Sequence, residues 1–225
     1  MLGIFIAFGY FLFVAQYLQL VLGLSPLEAG LWSLPSAVGF IVGSQIGPVL
    51  LHRYRPAYVI ATGLAMAAVA LAMLTQLDGS AELRTLVGAS VIISLGLAPV
   101  FTATTDLIVG SAPPEEAGAA SGISETGAEL GGALGIAILG SIGTVVYRRE
   151  VADAVPSDAP PEAADAARDT LGGAVGAAGD LPAHVLDAAG EAFTQGLQTA
   201  AVVSAALAAV LAAVAVRLLR DARPG

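Results

Sequence analysis

AGAASGISETGAELGGALGIAILGSIGTVVY, from Ala117 to Tyr147, is a run of small and apolar residues that carries two carboxylates, Glu125 and Glu129. A helix needs about 20 mostly apolar residues to cross a bilayer, and this one exceeds that length. A charged side chain at mid-bilayer depth costs about 3 kcal/mol or more, so it faces a bundle interior or a water-filled cavity and marks an ion or substrate path. Residues four apart share a helix face, so both carboxylates are expected to look into one space. Two readings are open. In the functional one the pair is a set of protonatable sites that a proton or a lipophilic cation neutralises in turn. In the structural one the carboxylates bond to neighbouring helices or reach toward an interface.

The rest of the chain has the composition this reading requires. Of its 225 residues 56% are hydrophobic and 12% charged, and the mean hydropathy is +0.83, far from the balance of a soluble domain. The formal charge of −9 comes mostly from residues 150–191, outside the apolar runs, so it describes one connection and gives no basic surface for nucleic acid. All nine basic residues are arginine, a bias that suggests a GC-rich bacterial genome. Cysteine is absent, which removes disulfides and thiolate metal sites, and His52 and His184 lie too far apart in sequence to suggest a metal centre. No metal and no cofactor is expected. The first apolar run starts at Met1 without a basic leader and reads as a span, not a signal peptide.

Six stretches are long and apolar enough to span: Leu2 to Leu22, Ala29 to Leu51, Ala57 to Leu77, Leu83 to Val109, Ala117 to Tyr147 and Phe193 to Leu219. The expected class is an all-α membrane protein, a six-helix transmembrane bundle. Its parts are five spans in residues 1–149, an acidic loop outside the cytoplasm in 150–190, and the last span with a cytoplasmic tail in 191–225. Ser25-Pro26 with Glu28 marks a helix start, as do Pro56 and Pro113-Pro114. Asp78-Gly79-Ser80 reads as a turn. Within the long connection, Pro161 to Ala167 and His184 to Ala192 are candidates for short surface helices, the alternative being a solvated loop. Arg53, Arg55, Arg217, Arg220 and Arg223 fall on one side of six spans, which puts both termini in the cytoplasm, with Arg148 and Arg149 counting against it.

Other residues carry chemistry less sharply. Asp106, about one turn from the inner end of the fourth span and preceded by Thr102, Thr104 and Thr105, is a gate or a cation-attracting group, or else an ordinary interfacial aspartate. Gln16, Gln19 and Tyr10, with Tyr17, put polar edges on the first span that line a cavity or bond across helices. Gly127, Gly131 and Gly135 form one small-residue ridge and Gly39, Gly43 and Gly47, followed by Pro48, another; both are read as helix-packing surfaces. Trp32 is an interfacial anchor. Phosphate-cradling loops, zinc-hydrolase HExxH and serine elbows are all missing, so no enzyme activity is expected.

QYLQLVLGLSPLEAGLWSLPSAVGFIVGSQIGPVL, from Gln16 to Leu50, and TTDLIVGSAPPEEAGAASGISETGAELGGALGIAILGSIG, from Thr104 to Gly143, resemble the fourteen-span drug/proton antiporters of the major facilitator superfamily, closest to the branch that exports quaternary ammonium compounds. The likeness covers nearly the whole chain but only the last six spans of the family, its C-terminal half. Major facilitators hold substrate between two six-span halves near the midplane. The resemblance implies proton-coupled efflux of lipophilic cations such as antiseptics and dyes across a bacterial cytoplasmic membrane. It places Glu125 and Glu129 at the family's acidic positions in the penultimate span. The chain's expected partners are the bilayer, those cations, and an amino-terminal half or a partner chain. One departure concerns the loop after the second span, where His52 stands in place of the family's aspartate and Arg55 in place of a glycine. The alternative function is a truncated or non-transporting membrane subunit that modulates a full-length pump.

Overall fold

The computed structural model describes residues 1–77 and 82–219. The Asp78-Gly79-Ser80 turn and Arg220 and Arg223 lie outside the described residues.

Local signals set the helix ends. Helix α1 (Leu2–Gln16) widens into a π-helical turn over Tyr17–Val21. It stops at Gly23, whose φ of +65° is the left-handed conformation that glycine adopts without a Cβ penalty. Ser25 then starts α2 (Pro26–Arg53) with a reciprocal cap. Its Oγ accepts from the Glu28 N–H at 3.3 Å, and the Glu28 carboxylate accepts from the Ser25 N–H at 2.9 Å. Pro26 sits where its missing N–H costs nothing. Helix α3 (Pro56–Met73) opens on a proline in the same way and ends in a 3₁₀ turn over Leu74–Gln76. Helix α4 is Glu82–Gly110, and a 3₁₀ turn at Pro114–Glu116 leads into α5 (Ala117–Val151).

Beyond α5 the expected loop is largely helical. Helices α6 (Pro161–Asp169) and α7 (Leu171–Gly176) fold back onto the bundle, burying Ala163, Ala164, Ala167, Leu171 and Ala174. Helix α8 (Ala183–Leu219) begins well before the expected Phe193. The cause is amphipathic spacing: Val185, Ala189 and Ala192 are buried while His184, Asp187 and Glu191 stay exposed. Thus residues 183–192 are the first turns of the last long helix, not a separate surface helix.

Six helices are long and apolar enough to cross a membrane. The chain is a multi-pass, all-α membrane protein. Helix α4 is central, with α2 on one flank and α3 on the other; α3 packs on α8, α8 on α5, and α5 on α1. A hydrogen bond of 2.7 Å between the Tyr10 hydroxyl and Ser90 Oγ ties α1 back to α4. Bilayers supply no hydrophobic force between helices, so close backbone contact through small residues must hold them. Gly39, Gly43 and Gly47 face Val91, Leu95 and Thr102 in the same order, so α2 and α4 run parallel. Gly131 and Gly135 lie against the backbones of Met1 and Phe5, making α1 and α5 parallel as well. Gly63 meets Gly96 where α3 crosses α4, and Gly143 meets Gly196 where α5 crosses α8.

The α6–α7 segment is fastened at one buried point. Tyr147 donates its hydroxyl proton to the Ala167 carbonyl at 2.7 Å. An ion pair of 2.9 Å joins Arg148 to Asp169, both well exposed, and such pairs contribute little. Tyr147→Phe leaves a buried carbonyl without its donor, at a cost of about 1–3 kcal/mol. The expected outcome is faster proteolytic cleavage within 152–182 at an unchanged helix content. Arg148→Ala is expected to change that rate far less.

Candidate functional site

The three carboxylates singled out in the sequence do not share a cavity. Glu125 and Glu129 are exposed on α5, and among the described residues neither has a hydrogen-bond or ion-pair partner. Among the described residues α1 meets this helix from Gly131 onward, where Met1 and Phe5 lie against Gly131 and Gly135. The part of α5 from Ala117 to Leu130 precedes those contacts and is about 20 Å long at 1.5 Å per residue. The two carboxylates lie on that stretch, about 12 and 18 Å from the start of the helix. They share a side of α5, as their spacing requires, but that side is open and not a bundle interior among the described residues.

Gly127 lies on the same stretch of α5. A Cβ there would meet nothing within 4 Å, whereas Cβ atoms at Gly131 and Gly135 would strike the α1 backbone. Among the described residues the ridge is a packing surface at two of its three positions. The second ridge is buried at all three.

Asp106 is exposed and lines a cavity of about 360 Å³ between the end of α2, the start of α3 and the last turns of α4. The same cavity is lined by His52, Pro48 and Pro56. A carboxylate and an imidazole, neither fully desolvated, here flank one opening at the end of the bundle that carries Arg53. The pairing was invisible in sequence, because 52 and 106 lie on different helices. Only the unusual histidine in the second loop pointed to the place.

The polar residues of α1 divide. Tyr10 is buried and engaged by Ser90, and the void beside it holds only about 10 Å³, so it is a helix tie and lines no usable cavity. Gln19 is exposed and its amide donates back to the Ala15 carbonyl at 3.2 Å. Gln16 does line a cavity, of about 120 Å³, with Phe13, Thr144, Tyr147 and Asp169 under the α6–α7 joint. Trp32 is exposed near the start of α2.

At that same end an open cleft of about 720 Å³ is lined by Glu82, Asp187 and Glu191, with Tyr17, Thr194 and Gln198. The Tyr17 hydroxyl donates to the Glu82 carboxylate at 2.9 Å, and the Gln198 amide to the Leu77 carbonyl at 3.2 Å. These bonds join residues 65 and 121 positions apart, contacts that no local pattern reveals. The two ends of the bundle thus differ: three carboxylates surround the cleft at one, and a carboxylate with an imidazole flanks the cavity at the other. Among the described residues no group of three or more acidic or imidazole side chains is placed to hold a metal ion.

A family model described as "Major Facilitator Superfamily" matches residues 1–146. The chain is 40% identical over 212 residues to the multidrug efflux pump LfrA of Mycolicibacterium smegmatis, an alignment covering 92% of this chain and 41% of that pump. It is 36% identical over 118 residues to the tetracenomycin C resistance and export protein of Streptomyces glaucescens, covering 52% of this chain and 22% of that protein. With the methyl viologen resistance protein SmvA of Salmonella typhimurium it shares 35% identity over 115 residues, 51% of this chain and 23% of the relative. The chain spans less than half the length of these curated relatives.

Proposed function

The chain belongs to the major facilitator superfamily, and from that premise we propose that it is the C-terminal six-helix half of a proton-coupled exporter of lipophilic cations. The observation that carries this reading is the 40% identity to a multidrug efflux pump along 92% of the chain. Substrate class is supported by the relative named for resistance to methyl viologen, a compound with two quaternary nitrogens. Carboxylates in a span suit such a cargo: they attract a cation, and a proton displaces it. Glu125 and Glu129 are assigned that role.

In this reading the open side of α5 around the two glutamates is turned toward the other half. Substrate is then held between halves near the midplane, and rocking of one half against the other exposes it to alternate sides. Asp106 and His52 stand at the inner mouth, and the α6–α7 segment and the acidic cleft lie outside. Both termini are cytoplasmic, and the membrane is the bacterial cytoplasmic one. Transport, rather than catalysis, is the activity proposed.

The test is reconstitution of this chain together with a six-helix amino-terminal half, in vesicles of bacterial lipid with an imposed pH gradient. Methyl viologen is expected to move against its gradient and to stop moving when a protonophore is added. Movement insensitive to the protonophore overturns the coupling. No movement overturns the substrate class, provided that both chains are inserted. Movement with this chain alone overturns its assignment as a half.

A further inference from the structure

Gly43, Gly63 and Gly96 let three helices meet at backbone distance, and the same geometry leaves a trough. Helix α2 packs along one flank of α4 and α3 along the other, and α2 barely meets α3. Between them Leu95, Gly96 and Pro99 of α4 form a floor, with Ile46 and Leu50 on one wall and Thr62 and Met66 on the other. The space is about 400 Å³. Its floor and walls carry glycine at each helix, so backbone stands where side chains elsewhere fill the gap.

Polarity is concentrated toward one end, with the Thr62 hydroxyl about one turn further in. Tyr54 and Tyr58 line the trough where α2 gives way to α3, each half exposed. The Arg53 guanidinium lies 6.0 Å from the centre of the Tyr54 ring, the range of a cation–π contact. From Gly43 to Tyr54 the trough runs about 16 Å along α2, close to half of a hydrocarbon core about 30 Å thick. A slot about one leaflet deep, mostly apolar and bordered at the headgroup level by two tyrosines with Arg53 beside them, has the chemistry of a lipid site.

We propose that this trough binds an anionic phospholipid, with an acyl chain along the α4 floor and the phosphate at Arg53. Charge complementarity selects the headgroup, because guanidinium binds phosphate oxygens in a fork and basic pockets between spans recognise acidic lipids. Tyrosine at interfacial depth supplies a ring to the glycerol region and a hydroxyl to water. A second protein segment is the competing occupant. It is disfavoured because an apolar helix laid in the trough brings no anion to the Arg53 guanidinium.

The test uses the whole chain in phosphatidylcholine vesicles. Trp32, the one tryptophan, is replaced by Phe, and Met66→Trp places a fluorophore on the trough wall. Brominated phosphatidylglycerol or brominated phosphatidylcholine is then added as a quencher. Val69→Trp, exposed on the same helix and not among the residues of the trough, serves as the control. Met66→Trp is expected to be half-quenched at about fivefold less of the glycerol lipid than of the choline lipid. The control is expected to show no preference. Arg53→Ala removes the preference and Arg53→Lys retains part of it. Equal quenching by both lipids at Met66→Trp, or a preference that survives Arg53→Ala, overturns the proposal. So does a fluorophore at 66 that neither lipid quenches while the control responds, since that means protein covers the trough.

Discussion

Efflux of a divalent organic cation is expected to fall to background when Glu125→Gln and Glu129→Gln are combined in a pump completed by an amino-terminal half, while the protein reaches the membrane in normal amount. Both parts of this outcome have a physical basis. Neither carboxylate has a hydrogen-bond or ion-pair partner among the described residues, so the amide replacements break no contact that holds α5 in place. Each does remove a full negative charge from a helix that crosses the membrane. Losing one partner of a desolvated charge pair costs about 2–5 kcal/mol, a factor of at least about thirty in affinity. Two such losses against a dication act together and not as independent terms. Single replacements separate the roles: each is expected to weaken transport of a dication more than that of a monocation. The measurement is initial efflux rate from loaded cells at matched membrane abundance. Unchanged efflux in the double variant would remove both residues from the substrate path. A protein that fails to insert would instead show that the carboxylates hold the fold.

Much of the architecture could be read from sequence because the signals that set it are local. The Ser25–Glu28 cap and the prolines at 26, 56 and 114 fix helix starts through atoms within a few residues, and the apolar runs fix which segments span. What local signals could not supply were the contacts between residues far apart in the chain. The spacing of Glu125 and Glu129 does put them on one side of α5. Spacing alone does not say what that side meets, and among the described residues neither carboxylate has a hydrogen-bond or ion-pair partner. A Cβ at Gly127 likewise meets nothing within 4 Å. Tyr10 reads as a polar edge that lines a cavity or bonds across helices, and the partner that decides between them, Ser90, lies 80 residues away. The start of α8 was misplaced because His184, Asp187 and Glu191 lower the local hydropathy, although the intervening Val185, Ala189 and Ala192 are the residues that bury. Asp106 could be located near a helix end. That His52 flanks the same cavity required the crossing of α2 over α4.

Gly63→Val is expected to be among the most damaging single replacements in the bundle. A methyl at that position would collide with the Gly96 carbonyl oxygen, and Val100 lies 2.6 Å from the same point. Neither obstacle yields easily. The carbonyl belongs to α4, the helix on which both α2 and α3 pack, and a shift there propagates into the Gly43 and Gly47 contacts on its other flank. Overpacking a close-packed site commonly costs about 1–3 kcal/mol. With backbone as the obstacle the cost falls at or above the top of that range, and a β-branched side chain has few rotamers with which to escape. The comparison that isolates crowding is Gly88→Val. Gly88 also lies in a span, and a Cβ there meets nothing within 4 Å, so the intrinsic effect of exchanging glycine for valine in a helix is retained without the collision. Thermal unfolding in detergent, followed by helix content, is expected to show a large loss for Gly63→Val and little change for Gly88→Val. Gly63→Ala should fall between them, because one methyl already reaches the carbonyl. If Gly63→Val and Gly88→Val unfold at the same temperature, the α3–α4 crossing is not held at backbone distance. The trough beside it would then lose the glycine floor on which its shape depends.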